Sequence, residues 1–179
     1  MENDKIVINL PLTEEVAVSL KAGDRVLLNG IIYAARDEAH ENMVELLKHG
    51  EDLPIDIKDA TVYYVGPAPA KPGAVIGSAG PTTSGRMDAY TPTLLDIGLR
   101  GMIGKGERTD DVIESMKRNK AVYFGATGGA GALLAKCIKA QRTIAWPELG
   151  PEALREFVVE NMPLTVVIDS QGHDLYREH

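Results

Sequence analysis

Short apolar runs alternate with stretches of helical spacing along most of the chain. Ile6–Leu10 reads as a strand, and Thr13 is placed to cap a helical turn carrying Val16 and Leu20. Arg25–Ala34 (RVLLNGIIYA) is rich in β-branched residues and predicts a long strand, with Gly30 as a bulge or a point of close approach. Asp37 opens a helix in which Met43, Val44, Leu46 and Leu47 recur at helical spacing, and Gly50 ends it. Thr61–Val65 predicts a strand, the proline-rich Gly66–Gly73 a loop, and Ala74–Ser78 a further strand. Thr91–Leu99 reads as helical and Met102-Ile103 as a short strand closed by Gly104-Lys105-Gly106. Thr109 caps a helix with acids in its first turn and bases in its last, as the helix dipole favours. Ala121–Phe124 predicts a strand, followed by a glycine run, Gly125–Gly131, that leads into a helix through Ala140. A helix from Pro151 to about Glu160 and a last strand, Leu164–Asp169, complete the pattern.

Strands alternating with helices indicate one α/β domain over residues 1–179. The long early strand and the helix-free loops argue against a regular doubly wound sheet. The 179 residues suffice for a real core, and with only 5% aromatic residues that core is aliphatic. The net charge of −7 argues against a nucleic-acid partner, because phosphate contacts need a basic face. No apolar run is long enough for a membrane span and no signal peptide is evident, so the expected location is cytoplasmic. A single cysteine, Cys137, excludes an internal disulfide and any iron–sulfur or structural zinc site built from this chain's own thiolates. On its predicted helix, Cys137 reads as a buried small hydrophobe.

Gly80-Pro81-Thr82-Thr83-Ser84-Gly85-Arg86-Met87-Asp88 carries the most chemistry. Backbone N–H groups, hydroxyls and a guanidinium could converge there on a carboxylate or phosphate. A Gly-Pro turn whose hydroxyls cap the next helix is the alternative. Two further cations stand at strand ends. Arg36 precedes a helix start, and its competing role is a surface ion pair with Asp37 or another acid. Lys105 lies between glycines, where it also reads as a solvated turn residue. Three cations suit a small dicarboxylate. His40, one turn into its helix, reads as a structural hydrogen-bonding residue, and Asp169–Asp174 as a structural polar turn. The glycine run fits neither G-x-G-x-x-G nor a following G-K-[ST], which disfavours a nucleotide site.

GPTTSGRMDAYTP, LLNGIIYAARDEAH, MIGKG, VYYVGPAPAKPG, YFGATGGAGAL, WPELGPEAL and PLTVVIDSQGHDLY together resemble the β subunit of class I, iron–sulfur-dependent fumarase and tartrate dehydratase, over nearly the whole chain. The resemblance implies a swivelling β/β/α three-layer domain with a mixed sheet. It implies an α subunit as partner, in a hetero-oligomer of two α and two β chains (α2β2), whose three cysteines hold a [4Fe-4S] cluster. It places Arg36, Thr82, Thr83, Arg86 and Lys105 on a dicarboxylate substrate, with Thr82 and Arg86 catalytic and Thr82 the candidate base, Thr83 and Ser84 being the alternatives. Alanine is expected in many relatives where Ser84 stands. The implied reaction is reversible hydration of fumarate to (S)-malate, or of a tartrate- or mesaconate-type relative. A non-catalytic module that binds an organic acid or a partner is the competing class.

Overall fold

A computed structural model describes residues 5–126 and 131–177. The elements in chain order are β1 (Lys5–Asn9), α1 (Glu14–Ser19), β2 (Arg25–Ala34), α2 (Asp37–Lys48), β3 (Thr61–Tyr63), α3 (Thr91–Asp96), β4 (Gly101–Gly104), α4 (Asp110–Asn119), β5 (Val122–Ala126), α5 (Gly131–Ala135), β6 (Ile138–Ala145) and β7 (Leu154–Ile168). Two 3₁₀ turns, Ser84–Met87 and Pro147–Glu152, lie between them. The local signals hold at several ends. Thr13 and Thr109 cap α1 and α4, their hydroxyls accepting from Val16 N and Val112 N at 3.3 Å. Asp110 and Asp111 open α4, and Lys117 and Arg118 close it.

The domain is mixed α/β, and its described residues form one seven-stranded sheet, ordered β1-β2-β3-β4-β5-β7-β6, with an added β2–β7 pairing. β1 to β5 pair in parallel, whereas β7 runs antiparallel to β2, β5 and β6. β7 can serve all three because it is 15 residues long. Its later half borders β5 and its earlier half β6, while β2 follows it along nearly its whole length. The pairings β2–β3–β4–β5–β7–β2 therefore close a circuit. The ladder shifts between Leu28 and Gly30, which confirms Gly30 as the site of an irregularity.

Side-chain alternation divides the core in two. Tyr63, Ile103, Val122, Phe124, Phe157 and Val166 point into the closed circuit. Their neighbours Val62, Tyr64, Met102, Tyr123 and Val167 point outward onto Ala39 and Met43 of α2, Leu94 and Leu95 of α3, and Val112 and Met116 of α4. The crossover helices thus cover one side of the sheet, which agrees with the expectation that it is not doubly wound. Among the described residues no helix is long and apolar enough to cross a membrane.

Three predicted elements are corrected. Ala74–Ser78 is not a strand. Its backbone pairs within its own loop, where Ala68 N donates to Ser78 O at 2.9 Å and Gly77 N to Ala68 O at 3.1 Å. The helix expected through Ala140 stops at Ala135, and the chain continues as β6. Cys137 is consequently half-buried rather than fully enclosed. The helix expected from Pro151 to Glu160 is instead the end of the 3₁₀ turn Pro147–Glu152 followed by the first half of β7. There the helix propensity of Glu-Ala-Leu-Arg-Glu yields to pairing on both edges, with β2 and with β6. Residues 127–130 of the predicted glycine run, and His179, lie outside the described residues.

Candidate functional site

Because β2, β3, β4 and β5 run parallel, their carboxyl ends share one rim, the favoured ligand position in α/β sheets. Arg36 follows β2, and Lys105 directly follows β4. The segment from Ala79 to Asp88 lies across this rim, bonded at the ends of β3 and β4 and to residues that follow β2 and β5 in the chain. Ala79 N donates to Gly131 O at 3.1 Å, beyond β5. Thr82 N donates to Tyr64 O at 2.7 Å, at the end of β3. Thr83 forms a parallel bridge with Lys105, and Ser84 N donates to Lys105 O at 2.8 Å. Arg86 reaches past β2 to Asp37, with Nε at 2.9 Å and Nη2 at 2.8 Å from Oδ2. The structure therefore brings Arg36, Thr82, Thr83, Arg86 and Lys105 to one face.

The N–H groups of Thr82 and Ser84 are spent on carbonyls, so the hydroxyls and cations are what this segment offers a ligand. The helix-cap alternative finds no support, since Thr83 makes no side-chain capping bond to the turn it precedes. Ser84 differs from its two neighbours. It is fully buried, with Oγ 2.7 Å from the Tyr123 hydroxyl. That hydroxyl donates its only proton to Gly106 O, so Ser84 must donate to Tyr123. A Cβ on Gly104 would stand 2.0 Å from this Oγ. Ser84 is thus a structural residue, whereas Thr82 is half-buried and Thr83 exposed.

The cations are held lightly. Arg36 lies 3.2 Å from Glu152 Oε2, and its side chain packs so close to Gly66 that a Cβ there would stand 2.8 Å from Cδ and Nη1. The acid partner of Arg36 is thus Glu152, and Asp37 pairs with Arg86 instead. The Arg86 side chain is 54% exposed, and a pair so open to water contributes only about 0–1 kcal/mol. A ligand carboxylate could replace Asp37 at little cost. Lys105 is exposed and makes no ion pair among the described residues.

The residue that sequence reasoning passed over is Arg108. Its side chain is fully buried beneath the rim. Nε donates to Asp88 Oδ1 at 2.7 Å, and Nη2 donates to the Tyr64 hydroxyl at 3.1 Å and to Thr91 Oγ1 at 3.0 Å. The guanidinium lies over the rings of Tyr64 and Tyr123, 5.2 and 4.8 Å from their centroids. Burial opposes its charge, but Tyr64 and Asp88 outweigh that and raise its pKa. Asp88 Oδ2 accepts from Thr109 N at 2.8 Å, which ties the turn bearing Arg86 to the start of α4.

His40 is structural, as expected. Its Nδ1–H donates to Arg36 O at 2.8 Å, and its ring meets Tyr64 edge-on at 5.4 Å. Burial pushes its pKa down to about 4, against the opposing effect of the Arg36 bond. Below about pH 6.5 the unfolded chain binds a proton that the folded chain refuses. This contribution is therefore complete above about pH 6.5 and is lost as pH falls toward 4, by up to roughly 3 kcal/mol. Urea titrations near pH 7 and near pH 5 should show a large drop in midpoint for the wild type and a smaller one for His40→Gln. Equal drops would refute this source of acid sensitivity. At the other end of the sheet, Asp169 accepts from Ala22 N, Gln171 N and His173 N, so the polar turn is structural too.

Among the described residues no group of three or more His, Cys, Asp or Glu is placed to hold a metal ion. With one cysteine in the sequence, this chain's own residues do not fit an iron–sulfur cluster.

The chain is similar in sequence to several known proteins. Fumarate hydratase 2 of Leishmania major is 42% identical over 156 residues, which is 86% of this chain but 28% of that protein. The aerobic class I fumarate hydratase of Escherichia coli strain K12 is 38% identical over 178 residues, 97% of this chain and 32% of that protein. A Methanocaldococcus jannaschii protein with the provisional name L(+)-tartrate dehydratase subunit beta is 39% identical over 173 residues, 93% of this chain and 89% of that one. The chain thus spans about a third of the length of these fumarate hydratases and most of the length of the separate subunit. The family model for the fumarase C-terminus matches residues 1–179, and the chain belongs to that family.

Proposed function

We propose that this chain is the β subunit of a two-chain hydro-lyase that interconverts a 2-hydroxy dicarboxylate and its unsaturated counterpart, with malate and fumarate as the leading pair. The observation that carries this reading is the segment Ala79–Asp88, which bonds at the ends of β3 and β4 and reaches Asp37 beyond β2, so that Arg86 and Lys105 stand on the same side as Arg36. The whole-length similarity to a separate β subunit supports a two-chain enzyme.

In this reading Arg36 and Arg86 bind the substrate carboxylates and Lys105 adds a third positive contact. At an effective dielectric near 20, a unit charge pair at about 4 Å gains roughly 4 kcal/mol, so two such contacts offset the desolvation of a dianion. In the dehydration direction the Thr82 hydroxyl, deprotonated under the influence of these cations, takes the proton from the carbon next to the hydroxyl-bearing one. The released C–H electron pair forms the double bond as hydroxide leaves; that hydroxide takes the proton held by Thr82, giving water and restoring the base, and addition of water is the reverse. A [4Fe-4S] cluster carried by the α subunit would supply Lewis acidity toward the departing hydroxyl. Two α and two β chains, a cytoplasmic location and a swivelling three-layer domain belong to the same proposal. Placement of the crossover helices on one side of the sheet supports the last of these.

The test is a substrate panel. The chain is combined anaerobically with a cluster-loaded α subunit and offered fumarate, malate, tartrate and mesaconate. Turnover of at least one diacid is expected. Failure with all of them, together with tight dicarboxylate binding by the lone chain, would favour a non-catalytic binding module.

A further inference from the structure

A second surface adjoins the rim. The loop 66–78 closes on itself through its two Ala68 bonds and is stitched to β6 by Gln141 Nε2, which donates to Val75 O at 2.8 Å. Between this loop and α5 lies an apolar groove of about 580 Å³. Ile76 and Ile138 form its buried floor, and Val75 is 44% exposed on its wall. Leu133, 55% exposed, stands beside it on α5. Three exposed lysines, Lys71, Lys136 and Lys139, surround the opening of a chain whose net charge is −7.

We infer that this groove docks the companion chain that completes the enzyme, through an apolar side chain flanked by carboxylates. The inference rests on the two-chain reading above. Three observations select this occupant. Roughly two thirds of each related fumarate hydratase has no counterpart in this chain, which in the two-chain reading leaves a large companion to meet it. The groove is continuous with the rim, because its wall residue Ser78 leads into Ala79, which bonds Gly131 at the start of α5. The groove therefore lies within reach of a chain that covers the rim. The lysine collar in an otherwise acidic molecule favours an acidic partner segment. The self-closed loop also presents the groove already formed, which lowers the ordering cost of association.

The experiment measures association of the full chain with its cluster-loaded α subunit across a salt series, for the wild type, Val75→Glu and the double variant Lys136→Glu/Lys139→Glu. The substituted side chains are exposed, and unchanged thermal unfolding confirms folding. The wild type should bind. Val75→Glu should weaken binding at least about tenfold, and the double variant should weaken it and flatten its salt dependence. Wild-type affinity in every variant would overturn the docking site and leave the two-chain reading intact. No association of the wild type would overturn the two-chain reading itself. Self-association of the lone chain that Val75→Glu abolishes would overturn the assigned occupant in favour of a second copy.

Discussion

Arg86→Ala is expected to lower kcat/KM of the assembled enzyme by about 10²- to 10⁴-fold. The guanidinium presents a planar fork, and in this structure Nε and Nη2 already grip one carboxylate oxygen, that of Asp37. Charge-assisted bonds of this kind contribute about 1.5–3 kcal/mol each, so losing two to a substrate accounts for the predicted range. Assembly and melting temperature should barely change, because the ion pair given up is solvent-exposed. Arg86→Lys keeps the charge but not the fork and should recover only part of the rate. Steady-state kinetics on the three proteins, with thermal melts beside them, check this. Near-wild-type turnover in Arg86→Ala would remove Arg86 from the substrate site.

Arg108 should produce the largest effect on stability. Removing one partner of its buried pair with Asp88 leaves an uncompensated charge in the core, at a cost of about 3–5 kcal/mol. For a domain of this size that lowers Tm by roughly 10 °C. Asp88→Ala and Arg108→Met should both show it, while Asp88→Leu/Arg108→Met, which removes both charges, should melt above either single variant. Asp88 directly follows the turn that bears Arg86, so Asp88→Ala should also reduce kcat at temperatures where the protein stays folded. A change in Tm of less than about 2 °C in the single variants would contradict this account of the network.

The parts legible in the sequence are those that local chemistry decides. Arg25–Ala34 is a strand by residue type alone, and Thr13 and Thr109 cap helices because a hydroxyl before an acidic first turn has few other uses. Leu154–Glu160 was not legible. Its residues favour a helix in isolation, and only pairing on both edges, with β2 far away in sequence and with the preceding β6, makes it a strand. Arg36, Arg86 and Lys105 stand out as cations at element boundaries, but their meeting on one rim depends on four parallel strands ending together. Ser84 and Arg108 show the limit most clearly. Ser84 sits between Thr83 and Gly85 with nothing to distinguish it, yet it is buried against Tyr123. Arg108 precedes a helix cap, where arginine is ordinarily solvated, and only Tyr64, Tyr123 and Asp88 converging from other elements enclose it.

If the rim is half of an active site, fumarate hydration assayed with this chain alone, the cluster-loaded α subunit alone, and the two mixed in increasing ratio under anaerobic conditions will show it. Neither chain alone should turn over substrate, and activity should rise with added β chain until the α subunit is saturated. Turnover by this chain alone, or a mixture as inactive as its components, would show that the rim is not half of an active site.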